Sequence, residues 1–194
     1  MENTEILLEK IDKDIKNALS EKRYKHSINV MKKAEALAIK YDVDIEKARL
    51  VGLVHDIAKE VSKEEKLQYV KENNIQIDEI EKLNIELLHA KIGADICKKK
   101  YGFSQDMQDA IKYHTIGNVE MDDLAKIILI ADKTEEGRRP YIDFNEVEQC
   151  AKLGLNAELI HALDLSIKYT IEKGRMIHPD SIFTRNKFLQ QNIH

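Results

Sequence analysis

Apolar residues in this chain recur at helical rather than strand spacing. Ile6, Ile11, Ile15 and Leu19 mark one face of a first helix, and Ile28, Met31, Ala34, Leu37 and Ala38 mark the face of a second. Period-two alternation is never sustained, and no Asn-Gly or Asp-Gly pair separates two alternating stretches. Only two prolines, Pro140 and Pro179, punctuate the pattern. The expected fold class is all-α.

Start and stop signals place the remaining elements. Asp44 can cap a third helix that runs through Leu50, Val51 and Val54 to the pair His55-Asp56, and Ser62 with Glu65 forms a capping box that opens a fourth. The spacing predicts helices over about 82–99, ending near Gly102, and over about 104–114 and 122–135. The last of these is nearly apolar all round, with Leu124, Ile127, Ile128 and Ala131 on its buried face. After a loop at Gly137-Arg138-Arg139-Pro140 come a short helix near 143–151, a long one over 155–173 stopped by Gly174, and a final one after Pro179. With no internal repeat and no low-complexity linker, residues 1–194 read as one domain.

Hydrophobic residues at 43% and charged residues at 34% supply both a core and a solvated surface, which excludes a disordered chain. The net charge is −4 and no long basic block occurs, so polymeric nucleic acid is not an expected partner. The short run Lys98-Lys99-Lys100 reads first as cations at a helix C-terminus. The first residues lack the basic and apolar regions of a signal peptide, and no stretch approaches the roughly 20 apolar residues that cross a bilayer. A cytoplasmic protein without membrane contact is expected. Cys97 and Cys150 have no CxxC spacing and read as small buried fillers. A homodimer is expected only from the general prevalence of symmetric pairs.

Chemistry enters where titratable groups interrupt apolar runs. His55-Asp56 lies inside Gly52-Leu53-Val54-His55-Asp56-Ile57-Ala58, which buries two polar side chains unless something compensates them. Asp132 repeats the anomaly one turn beyond Ile128. His26, His89 and His114 also lie in or beside apolar helical faces. A lone histidine there is more often a hydrogen-bonded core residue, and a lone His-Asp pair is common. Four histidines with two carboxylates point instead to a shared cation, and imidazole with carboxylate suits Fe, Mn, Co, Ni or Zn better than Mg or Ca.

Taken in order, His26, then His55-Asp56, then a distant Asp132 resemble the metal signature of the HD superfamily. The resemblance narrows to its YqeK-type branch, the bacterial symmetrical bis(5′-nucleosyl)-tetraphosphatases, through six blocks. These are Arg23–Ser27 with Val30, Gly52–Lys59, Leu88–Ala94, Tyr113–Gly117, Ile130–Glu135 with Arg138, and Ile177–Pro179 with Arg185-Asn186. One departure stands out: the family pattern has a proline after the glutamate of the Asp132 block, and this chain has Glu136.

The resemblance implies an HD-domain helical bundle. It implies a divalent transition metal, iron above Mn, Co, Ni or Zn, held by His26, His55, Asp56 and Asp132. Such a metal lowers the pKa of bound water toward about 7 and polarises a phosphoryl group. Asp56, His89, His114 and Lys59 are the expected catalytic residues. His89 and His114 either complete a second metal site bridged by Asp56 or bind phosphate as cations. Arg23, Lys59 and Arg138 are candidate phosphate clamps, alongside His26, His89, His114, Thr115, Asp132, Arg139 and His178 in substrate binding. Arg185 and Arg175 are weaker candidates, Arg175 equally a helix C-terminal cation. The implied reaction splits diadenosine tetraphosphate into two nucleoside diphosphates. The alternatives are a nucleoside monophosphate phosphatase or a guanosine alarmone hydrolase with the same centre, or a helical module that senses nucleotides without turnover.

Overall fold

The computed structural model describes residues 4–138 and 142–192, and among them every regular element is helical. The helices are α1 (Thr4–Ala18), α2 (Glu21–Tyr41), α3 (Ile45–Val54), α4 (Lys63–Glu72), α5 (Glu79–Leu83), α6 (Leu88–Tyr101), α7 (Gln105–Tyr113), α8 (Asp123–Thr134), α9 (Phe144–Leu153), α10 (Leu155–Glu172) and α11 (Pro179–Asn192). Caps define their starts as the sequence predicts. Asp44 accepts from the Lys47 amide, and Ser62 and Glu65 form the full capping box. Asp122 likewise caps α8 through the Ala125 amide.

The helix expected over 82–99 is broken. Asn84 ends α5, a 3-10 turn at Ile85–Leu87 follows, and α6 begins at Leu88. The break is set by a second capping box at Asp78 and Glu81, which starts a helix earlier than the apolar spacing suggested. It also turns the carbonyl of Glu86 toward the His89 ring. Buried Lys66 braces this region from α4, donating to the Lys59 carbonyl at 3.1 Å and reaching Glu86 at 3.3 Å.

Helix α8 is the axis of the packing, with neighbours in α2, α3, α7 and α10. Ile127, Ile128, Leu129, Ile130 and Ala131 are all fully buried, so no face of its middle is left for solvent. Helices α2 and α3 pack closely at Gly52. A Cβ there would lie 2.9 Å from the Met31 Cα, so only glycine lets the two backbones approach this far. One continuous apolar core runs from Ile11 to Phe188 and takes in residues of α1–α4, α6–α8, α10 and α11. Cys97 is buried within it, but Cys150 is only half-buried. No helix among the described residues is long and apolar enough to cross a membrane.

Candidate metal centre

Five elements converge on the polar interior. His26 comes from the second turn of α2, and His55 caps the end of α3 with Asp56 in the turn after it. His89 lies in the first turn of α6, His114 caps the end of α7, and Asp132 sits in the last turn of α8. Placement at helix ends frees these side chains from the apolar stripes while keeping them inside. His55 and His89 are fully buried, and Asp56, His114 and Asp132 are at most 5% exposed.

The groups form two triads that share one carboxylate. Ligand atoms of His26, His55 and Asp56 all lie within 4.8 Å of one another, and so do those of Asp56, His89 and His114. Asp132 adjoins the first triad, with Oδ1 3.0 Å from His26 Nε2 and 3.9 Å from His55 Nε2. Asp56 divides its oxygens between the two. Oδ2 lies 3.8 Å from His26 Nε2 and 3.6 Å from His55 Nε2, while Oδ1 lies 3.2 Å from His89 Nε2 and 3.5 Å from His114 Nε2.

Three of the four imidazoles are oriented by backbone. Nδ1 of His55 meets the Gly52 carbonyl at 2.8 Å, Nδ1 of His114 meets the Ile111 carbonyl at 2.6 Å, and Nδ1 of His89 meets the Glu86 carbonyl. A carbonyl only accepts, so each Nδ1 carries the hydrogen and each Nε2 turns a lone pair inward. His26 is oriented differently, with Nδ1 3.1 Å from the Glu135 carboxylate.

Burial drives the His55 pKa down to about 3 and, with the Lys59 charge beside it, that of His89 to about 4. Both are therefore neutral and able to ligate. Burial opposes the Asp56 and Asp132 anions, but His55, His114 and His89 around Asp56, and Lys133 and His26 around Asp132, outweigh it. Both carboxyls are held well below the ordinary carboxylate range. For His26 burial favours the neutral ring, yet Asp132 and Glu135 prevail and raise its pKa.

These residues fit a divalent metal. His26 Nε2 and His55 Nε2 are buried without a hydrogen-bond partner, although carboxylate oxygens stand nearby off the donor direction. Leaving two buried ring nitrogens unpaired is costly, and a cation between them and the carboxylates removes that cost. The nitrogen and oxygen donor set suits a transition metal.

Cations ring the centre. Arg23 Nη1 donates to Asp56 Oδ2 at 2.9 Å, Lys59 Nζ stands 3.3 Å from His89 Nε2, and Arg138 Nη2 lies 3.4 Å from Asp132 Oδ1. Thr115 Oγ1 lies 3.2 Å from His114 Nε2 and 3.4 Å from His89 Nε2. Lys133, which sequence reasoning missed, binds Asp132 Oδ2 at 2.7 Å. Its signal was present, since Lys133 and Glu135 both lie within the block that carries Asp132.

Other expected contributors point elsewhere. His178 bonds Asp78 at 2.8 Å and accepts from the Asp180 amide, and Arg185 pairs with Asp164. Lys99 and Lys100 pair with Asp95 and Asp14. Arg139 lies outside the described residues. Glu136, where the family pattern has proline, opens a 3-10 turn over Glu136–Arg138 that still returns Arg138 to Asp132.

The HD domain family model matches residues 23–137, a span that includes His26, His55, Asp56, His89, His114 and Asp132. This chain belongs to the HD domain family. Among its relatives, a symmetrical bis(5′-nucleosyl)-tetraphosphatase of Halalkalibacterium halodurans is 37% identical over 176 residues, 90% of this chain and 93% of that one. The same-named protein of Bacillus subtilis is 34% identical over 174 residues, 89% and 92% of the two chains. A solved structure from Clostridium acetobutylicum, described as a predicted HD superfamily hydrolase involved in NAD metabolism, superposes with a TM-score of 0.87 at 38% identity. It covers 94% of this chain and 97% of its own. The HD centre thus sits on a fold shared nearly end to end with these proteins.

Proposed function

We propose that this protein is a metal-dependent hydrolase that splits diadenosine tetraphosphate symmetrically into two ADP. The observation that carries the reading is the pair of buried His/Asp triads sharing Asp56 and ringed by cations, in a chain that spans about nine-tenths of its tetraphosphatase relatives. Four consecutive phosphates need a clustered cationic site, and Arg23, Lys59, Lys133 and Arg138 supply one.

His26, His55, Asp56 and Asp132 would hold the metal, which we take to be iron. When bound, it supplies Lewis-acid activation of water and of a phosphoryl oxygen. His89 and His114 either hold a second metal against Asp56 or bind phosphate directly. Asp56 orients the attacking water from the edge common to both triads. Arg23 and Arg138, beside Asp56 and Asp132, would grip phosphate oxygens, and so would Lys59 with Thr115 beside His89. Water adds to one inner phosphorus and releases a proton to solvent, the bond to the bridging oxygen breaks, and that oxygen leaves on the second ADP. Burial lowers the Lys59 pKa, which suits it to give that oxygen a proton.

The reading includes one domain over residues 1–194, supported by the continuous core, and a cytoplasmic homodimer acting on free nucleotides. The decisive test is product analysis with the metal-loaded enzyme. ADP alone supports symmetric cleavage, whereas inorganic phosphate from nucleoside monophosphates or pyrophosphate from an alarmone would overturn it. Tight binding without any product would make the chain a nucleotide sensor.

A further inference from the structure

His26 is the one member of the two triads whose ring is oriented by a side chain. Glu135 is 3% exposed, and each of its oxygens has a distinct task. Oε1 faces His26 Nδ1 at 3.1 Å, while Oε2 accepts from Asn29 Nδ2 at 2.9 Å and from the Gly137 amide. Gly137 keeps the space open, because a Cβ there would lie 2.9 Å from both carboxylate oxygens. Arg138 Nε also stands 3.7 Å from Oε1, so Glu135 presents only acceptors to the four groups around it.

We propose that Glu135 is a positioning residue that fixes the His26 tautomer, keeping the hydrogen on Nδ1 and the lone pair of Nε2 aimed at Asp56 and Asp132. This rests on the metal-centre reading of His26. It follows from hydrogen-bond direction, as the carboxylate cannot donate to Nδ1.

Glu135→Gln separates this role from mere space filling. The Gly137 N–H is backbone and cannot be reversed, so the new amide must turn its oxygen to Gly137 and its NH2 to His26. That NH2 donates to Nδ1, forcing the ring hydrogen onto Nε2, the atom that faces the carboxylates. A substitution of nearly equal shape thus blocks the ligand atom.

The test is nitrogen-15 NMR of the histidine rings in metal-free protein at alkaline pH, with zinc or cobalt affinity measured by chelator competition. The wild type is expected to show hydrogen on His26 Nδ1. Glu135→Gln is expected to move it to Nε2 and weaken metal binding about 10–100-fold. Gly137→Ala, which crowds the carboxylate without touching His26, is expected to weaken binding in the same direction by less. Unchanged tautomer and affinity in Glu135→Gln would overturn the proposal. If that variant does not fold, hydrogen on Nε2 in the wild type, or full affinity in Gly137→Ala, overturns it equally. None of these readouts uses a nucleotide, so they stand or fall apart from the tetraphosphatase reading.

Discussion

In the triad of His26, His55 and Asp56, both ring Nε2 atoms are buried without a hydrogen-bond partner, whereas in the triad of Asp56, His89 and His114 they have company. His89 Nε2 can accept from Lys59 Nζ at 3.3 Å, and the Thr115 hydroxyl lies 3.2 Å from His114 Nε2 and 3.4 Å from His89 Nε2. Anions separate the halves as well: the first has Asp132 and Asp56, the second Asp56 alone. The difference teaches that the first half is incomplete without a cation, while the second can persist on its own contacts. Metal should therefore load the His26 half first and more tightly.

The most severe way to break this comparison is to remove what the halves share. Asp56→Ala is expected to abolish tight metal binding and lower turnover by about a thousandfold or more, since several kcal/mol of charge stabilisation disappear. Metal analysis with single-turnover kinetics checks it, and retention of metal in both halves would contradict the shared role of Asp56.

A smaller perturbation distinguishes the halves. His55→Ala is expected to lose the tight metal equivalent, while His89→Ala keeps it and loses at most a weaker one. Equal loss from both variants, read by chelator competition, would erase the asymmetry. Lys59→Met, which leaves both triads intact, is expected to slow cleavage about a hundredfold with metal content unchanged.

Acid should act on the halves unequally. His26 has a raised pKa, so as pH falls through that raised value its ring gains a proton and can no longer ligate. His55 and His89, held to about 3 and about 4, stay neutral over that range. Tight metal affinity is thus expected to fall about tenfold per pH unit below the His26 value, one proton being displaced per metal. Affinity measured between neutrality and pH about 5 tests this, and a flat profile would remove His26 from the tight site.

The mildest effect concerns the scaffold. Gly52→Ala places a Cβ against the Met31 backbone and pushes α2 from α3, which carry His26 and His55. A loss of roughly 1–3 kcal/mol in denaturant unfolding is expected, with weaker metal binding as His26 and His55 separate.

Most of the helices, and the buried cluster of four histidines and two aspartates, were legible in the sequence for a physical reason. Apolar periodicity marks buried faces, and His or Asp within such a face is conspicuous because burial without compensation is costly. Partners were less legible. Glu135 meets His26 across 109 positions, and no local pattern ties them together. Arg185 and His178 looked like phosphate ligands by residue type, yet Asp164 and Asp78 claim them in the fold. The break at Asn84 was hidden because Asp78 and Glu81 cap a helix too short to show periodicity.

A metal at His26, His55, Asp56 and Asp132 would supply Lewis-acid activation for hydrolysis of a dinucleoside tetraphosphate at its middle anhydride. The most direct measurement is chromatographic product analysis after incubating anaerobically purified, metal-analysed enzyme with diadenosine tetraphosphate, with and without a chelator. ADP is expected as the sole product, lost on chelation and restored by metal. ATP with AMP, or turnover indifferent to the chelator, would contradict it.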